Sequence, residues 1–283
     1  MCRSLADGGK RCPNIGRFRK MGTRDVAPEA VDGVPALAWD YEGSDAMQRA
    51  WAYMPQAACC AIELLREVRK EEPVITSDVM AAAGVTGAWC HGLEHRMKSP
   101  FSLARKLNSA FDDLFQHGRV DDDLGAVART QGDDALRYTV CVESGDELVP
   151  TLGSMIRDLR AKGWQFNQIK DSYLDGNTYK GLHLIARAPG PAQWDVEIQV
   201  HSRASIAVKD SIHGDYEIAR DSSMSDRKRQ QAAQRCADTS EILAMPRGLG
   251  ECYRDGALEG EVEGVRMKKK NFSPAGSRRR EQR

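Results

Sequence analysis

No apolar run in this sequence approaches the roughly 18–20 residues that cross a bilayer, so a helical membrane span is not expected. None of its eight cysteines forms a Cys-x-x-Cys pair, the local spacing used by zinc ribbons and dithiol redox motifs. They fall at positions 2, 12, 59, 60, 90, 141, 236 and 252, and read as reduced structural thiols. A zinc site built on Cys2 and Cys12 finds no further ligands at local spacing. Net charge is missing as well, with 41 Lys and Arg against 41 Asp and Glu. There is no internal repeat and no glycine-rich loop ending in Gly-Lys-Ser/Thr, which excludes a P-loop. The N-terminal Met1-Cys-Arg-Ser-Leu-Ala-Asp-Gly-Gly-Lys-Arg-Cys12 is basic but lacks the apolar core of a signal peptide, and a cytoplasmic protein is expected.

What remains is a chain of ordinary apolar content whose charge is unevenly spread. Arg3, Lys10, Arg11, Arg17, Arg19 and Lys20 crowd the first twenty residues, and Arg266, Lys268, Lys269, Lys270, Arg278, Arg279, Arg280 and Arg283 crowd the last stretch. Both ends suit nucleic acid or another polyanion. Residues 1–43 show no period and read as a mobile basic arm and linker, 44–245 as the folded domain, and 246–283 as a disordered basic tail.

Within the domain, Ser44 or Asp45 is expected to cap a helix running to about Arg69, followed after a break at Pro73 by a short helix over 77–84. Ser99 and Pro100 mark a helix start, with Leu103, Leu107, Phe111 and Leu114 as its buried stripe. Residues 117–133 read as a polar loop. A strand pattern runs from Asp134 through Val142, a helix covers 146–162, and strands follow at 164–171, 179–188 and 194–201. Helices over 203–221 and 224–243 close the domain. This order gives an α/β domain whose later strands are mainly hairpin-connected.

Two local patterns carry chemistry. In Trp194-Asp-Val-Glu-Ile-Gln-Val-His201, alternation puts the four apolar residues on one face and Asp195, Glu197, Gln199 and His201 on the other. The segment after His95 gathers Arg96, Lys98, Ser102, Arg105 and Lys106 at a helix N-terminus, where backbone N–H groups and the dipole favour polyphosphate. Asp133, Asp134 and Glu197 are candidate carboxylates for Mg²⁺ on a nucleotide. Arg137 suits phosphate charge, and Tyr179 suits a base.

The ordered motifs resemble the synthetase domain of the RelA/SpoT family, including its small alarmone synthetases. Arg96, Lys98, Ser99, Pro100, Ser102 and Lys106 match its Arg-x-Lys-Ser-Pro-x-Ser-x-x-x-Lys pattern. Tyr179, Lys180, Gly181 and His183 match Tyr-Lys-Gly-x-His, Glu197 and Gln199 match Glu-x-Gln, and His213, Tyr216 and Glu217 match a following helix. The resemblance implies a nucleotidyltransferase-like mixed sheet flanked by helices, and transfer of pyrophosphate from ATP to a nucleotide hydroxyl. It assigns Arg96, Lys98, Ser102, Lys106 and Arg137 to the ATP phosphates, and Asp134 and Glu197 to Mg²⁺. Glu197 is alternatively the group that activates the hydroxyl. Tyr179, His183 and Gln199 would hold the acceptor.

Two departures stand out. The family places its metal Asp five residues before the Arg, whereas Asp133 and Asp134 lie four and three before Arg137; alternation favours Asp134. The His-Asp pair of the family's hydrolase domain is missing. The Asp-Ala-Leu-Arg-Tyr-Thr segment and His201-Ser202 resemble the toxin-like branch, in which the acceptor is a guanine nucleotide or the 3′ end of tRNA and an antitoxin or separate hydrolase restrains the activity. The rival reading is a catalytically inactive nucleotide- or RNA-binding module on the same fold.

Overall fold

The computed structural model describes residues 15–119, 122–221, 224–253 and 259–271. Its elements in chain order are α1 (Ile15–Phe18), α2 (Ala46–Ala50), α3 (Pro55–Gly84), β1 (Trp89–His91), α4 (Pro100–Gln116), α5 (Leu124–Gln131), β2 (Leu136–Val142) and α6 (Leu148–Ala161). Then come β3 (Gln165–Asp171), β4 (Leu182–Arg187), β5 (Asp195–Ser202), α7 (Arg203–Ser211), α8 (His213–Arg220), α9 (Asp226–Ser240), β6 (Glu259–Val262) and β7 (Val265–Lys269). The strands form one mixed sheet in the order β1-β2-β5-β4-β3-β7-β6. Helices flank it, as the motifs imply. None of the described helices is long and apolar enough to cross a membrane.

The chain divides into two compact units. The first comprises the described residues up to Ser77 with Gly92–Tyr138 and Gly190–Val196; the second comprises Asp78–His91, Thr139–Pro189 and the described residues from Glu197 onward.

In the first unit, α4 begins where Ser99 and Pro100 indicate. The Ser99 hydroxyl accepts from the Ser102 N–H, and Leu103, Leu107, Phe111 and Leu114 are buried. Residues 15–43, expected as a mobile arm, instead bury Phe18, Val26 and Leu37, and the Trp39 indole donates to the Met97 carbonyl at 2.9 Å. The expectation missed them because their few apolar residues follow no helix or strand period; residues 1–14 lie outside the described residues. The polar loop expected at 117–133 contains α5. Asp123 caps α5 through Gly125 N and Ala126 N, and its only buried side chain is Ala128, too small a stripe to register in the sequence.

The break expected at Pro73 does not occur, since α3 is one 30-residue helix with Pro73 inside it. An internal proline costs about 3 kcal/mol through the lost N–H and the clash with the preceding turn. Here the buried stripe continues through it at helical spacing, from Ile62, Leu65 and Val68 to Ile75, Val79 and Ala82, and that packing outweighs the cost.

In the second unit, β3 pairs antiparallel with β4 and parallel with β7, and β7 forms a hairpin with β6. That hairpin corrects the expected disordered tail over its residues: Val262, Val265 and Met267 are buried while Arg266 bridges to Glu259 on the outer face. Residues 272–283 lie outside the described residues. Helix α6 buries Leu148, Leu152, Met155, Ile156 and Leu159. The expected strand at 179–188 begins only at Leu182, and the helix expected over 203–221 is two, α7 and α8.

Candidate active site

In the first unit the candidate phosphate ligands are drawn together by a short backbone ladder. Met97 and Leu136 form an isolated antiparallel bridge, Lys98 N donates to Ala135 O at 3.0 Å, and Arg137 N donates to Arg96 O at 2.8 Å. Asp133 and Asp134 lie in the turn before β2 rather than within a strand, so alternation does not choose between them. That turn is set by Gly132, where a Cβ would stand 2.4 Å from Leu64 Cδ2.

Both carboxylates meet Lys106, at 2.7 Å from Asp133 and 2.9 Å from Asp134, and Asp134 also holds Lys98. Ser102 stays in the first turn of α4, its hydroxyl accepting from Ser99 Oγ at 3.1 Å. Arg137 is exposed, and its side chain has no ion-pair or hydrogen-bond partner among the described residues.

The electrostatics of this cluster are unequal. Burial pulls the Lys98 ammonium below its ordinary range, Lys106 and Arg137 add repulsion, and Asp134 offsets only part of this. Lys106 is also partly buried, but Asp134 and Asp133 together raise it above its usual value. Burial pushes the Asp134 carboxyl upward, yet the two ammonium groups outweigh that and hold it below the usual carboxylate range. Lys98 and Lys106 thus share two carboxylates, and Arg137 adds a third positive charge near Lys98, leaving an excess suited to an incoming anion.

Arg96 is placed differently from the rest. Its side chain is buried, with Nε 2.6 Å from Glu72 Oε1 and Nη1 donating to the carbonyls of Pro35 and Leu93 at 2.7 and 2.9 Å. Glu72 also accepts from Thr76, whose hydroxyl lies 2.8 Å from Tyr138 Oη. This guanidinium anchors the segment carrying Lys98. The structure does not bring it to the cation cluster.

The second unit holds the candidate acceptor residues. His183 Nδ1 lies 2.6 Å from Glu197 Oε1, and the same oxygen accepts from Gln199 Nε2 at 3.1 Å. Lys209, which sequence reasoning missed, donates from Nζ to Gln199 Oε1 at 2.7 Å and so turns the amide's N–H₂ toward Glu197. No spacing in the sequence signals this lysine; it arrives because α7 follows directly on β5.

Tyr179 and Lys180 precede β4 in a loop fixed at many points. Asn177 Nδ2 donates to the Ser172 and Lys270 carbonyls, Ser240 Oγ donates to Thr178 O, and Glu241 takes Gly176 N at 2.7 Å and faces Lys180 Nζ at 3.5 Å. The half-buried Tyr179 ring packs on Val208, Ile212 and Cys236, edge-on to Tyr216 at 5.8 Å and 5.7 Å from His183.

His201 is fully buried, with Nδ1 3.1 Å from Ser205 Oγ and its ring 6.2 Å from that of His183. Burial, then Lys209 and His183, push its pKa well below the ordinary value, so the imidazole is neutral. The ring occupies the space where a Cβ on Gly181 would sit, 2.5 Å from Cε1. The glycine of the Tyr-Lys-Gly-x-His motif is therefore required here by the approach of His201.

Among the described residues no group of three or more His, Cys, Asp or Glu side chains is arranged to hold a metal. Asp133 and Asp134 fit the other mode, in which one or two carboxylates share Mg²⁺ with substrate phosphates and water.

No family model and no curated protein matches the chain. Among solved structures it is similar to small alarmone synthetase 1 from Bacillus subtilis bound to its product pppGpp, at 13% identity and a TM-score of 0.37, over 62% of this chain and 87% of that one. It is also similar to the Type VI effector Tas1 in complex with its immunity protein, at 17% identity and a TM-score of 0.36, over 70% of this chain and 96% of that one.

Proposed function

We propose that this protein is an ATP-dependent pyrophosphokinase that transfers the β,γ-pyrophosphate of ATP to a nucleotide hydroxyl, with a guanine nucleotide or the 3′ end of tRNA as acceptor. The observation that carries the reading is Glu197: a carboxylate fixed from two sides by His183 and Gln199, in the same unit as the stacking-competent Tyr179. A base that must take a hydroxyl proton needs such a fixed position. The four ordered motifs supply the remaining parts.

In this reading Lys98, Lys106 and Arg137 bind the phosphate chain, with Ser102 at the helix start contributing a hydroxyl. Asp134, with Asp133 beside it, would hold Mg²⁺, which supplies charge neutralisation on the polyphosphate. Lysines released from the carboxylates then turn to phosphate oxygens, so the anion replaces one set of ion pairs with another. Tyr179 stacks on the acceptor base, and Gln199, oriented by Lys209, lines its pocket. The acceptor oxygen attacks the β-phosphorus, the bond from that phosphorus to the α–β bridging oxygen breaks, AMP leaves, and Glu197 takes the hydroxyl proton. Arg96 acts through the segment it anchors.

The test is incubation with γ-labelled ATP and Mg²⁺, offering GDP, GTP, ATP or total tRNA in turn. Label is expected in one acceptor, and Glu197→Gln should abolish the transfer. Transfer by Glu197→Gln at the wild-type rate would remove Glu197 from the mechanism. If no acceptor takes label while nucleotide still binds, the protein is a binding module.

A further inference from the structure

A second concentration of positive charge lies in the first unit, apart from every residue assigned above. Arg66, Arg69 and Lys70 stand on one face of α3 at i, i+3 and i+4, and together with Arg17, Met21 and Asp25 of the N-terminal segment they line a cavity of about 400 Å³. Like charges at this spacing repel, so the arrangement is disfavoured unless something compensates it.

Protein groups compensate only part of it. Arg69 Nη1 donates to the Asp25 carbonyl at 2.6 Å, which ties the N-terminal segment to the helix, and Lys70 pairs with Glu67 at 2.6 Å. The one lining carboxylate, Asp25, accepts from Gly22 N at 2.6 Å. The Arg66 and Arg17 side chains have no ion-pair or hydrogen-bond partner among the described residues. The cavity therefore has a fixed floor, two uncommitted guanidinium groups and little apolar wall. Its volume lies in the range of small-ligand sites, while its lining selects a compact, multiply charged anion over an apolar ligand. Guanidinium forks match phosphate oxygens in pairs.

We propose that this cavity is a second anion site, taking a small polyphosphate such as the phosphate chain of a free nucleotide. The proposal is independent of the pyrophosphokinase reading. Its test uses the full chain carrying Lys98→Ala, Lys106→Ala and Arg137→Ala, so that the first cluster does not contribute, and titrates tripolyphosphate by calorimetry. Binding is expected, weakened about tenfold or more by either Arg66→Gln or Arg17→Gln, the loss of one charge-assisted pair. Arg17 is exposed, so its variant keeps the test decisive even if Arg66→Gln folds poorly.

Three outcomes would overturn the proposal. One is no tripolyphosphate binding in this triply substituted protein, and another is unchanged affinity when Arg66→Gln or Arg17→Gln is added. The third is dependence on Arg17 and Arg66 only for an RNA duplex, with tripolyphosphate indifferent to them, because that would make the surface an RNA-backbone contact.

Discussion

Replacing Arg96 with Met keeps most of the side chain's apolar stem but removes the charge that faces Glu72. The carboxylate of Glu72 is fully buried and would retain only the Thr76 hydroxyl as a partner. Breaking a buried pair by removing one member costs about 3–5 kcal/mol, chiefly from the charge left uncompensated. The Pro35 carbonyl loses its donor in the same step, while the Leu93 carbonyl keeps the Arg96 backbone N–H, so the upper part of that range is expected. Denaturant melts of wild type, Arg96→Met, Glu72→Gln and the double variant form a cycle in which the two changes should couple by about 2–3 kcal/mol. Saturating ATP should leave that coupling unchanged, because Nε and Nη1 are already committed inside the first unit. If Arg96→Met melts like wild type and yet fails to bind ATP, the reasoning is refuted and the direct phosphate role implied by the motif is restored.

Gly181→Ala should destabilise by about 1–3 kcal/mol through overpacking against the His201 ring, and adding His201→Ala should recover part of the loss; additive losses would place the cause elsewhere. His201 itself makes stability depend on pH. Its folded pKa is depressed, so the unfolded chain takes the proton first as pH falls below about 6.5. Its contribution is full above that value and declines below it by at most about 1.4 kcal/mol per pH unit, a slope that His201→Gln should lack in melts between pH 5 and 7.5. The Cys90, Cys141 and Cys236 thiols are pushed up to about 11, mainly by burial. At pH 8 only about one in a thousand of each is thiolate, so alkylation mapped by mass spectrometry should be slow at these three sites until denaturant is added. Equal rates before and after unfolding would contradict that burial.

The parts of the fold that were readable from the sequence are those in which local chemistry and tertiary packing agree. Ser99, Pro100 and the stripe from Leu103 to Leu114 specify α4 by cap, first residue and period together. The alternation of β5 correctly separates its apolar row, yet it cannot say that Gln199 and His201 on the other face are also buried. Pro73 misleads because the packing of a continuous stripe overrides a local penalty. The β6–β7 hairpin was hidden by composition, since Arg266, Lys268 and Lys269 read as tail charge, although Val265 and Met267 already alternate with them. Strand β1, with three residues, each only partly buried, has no signature of its own.

The candidate site shows the same division. Its motifs locate Lys98, Lys106, Tyr179, His183, Glu197 and Gln199. The residues that set their geometry come from segments without any motif: Glu72 for Arg96, Glu241 for Lys180, and Lys209 for Gln199.

The identity of the leaving nucleotide tests the central claim most directly. Incubated with ATP, Mg²⁺ and an accepting nucleotide or tRNA, the protein should release AMP in a one-to-one ratio with acceptor that has gained two phosphates. Release of ADP with a singly phosphorylated acceptor, or turnover to AMP that persists in Glu197→Gln, would contradict it.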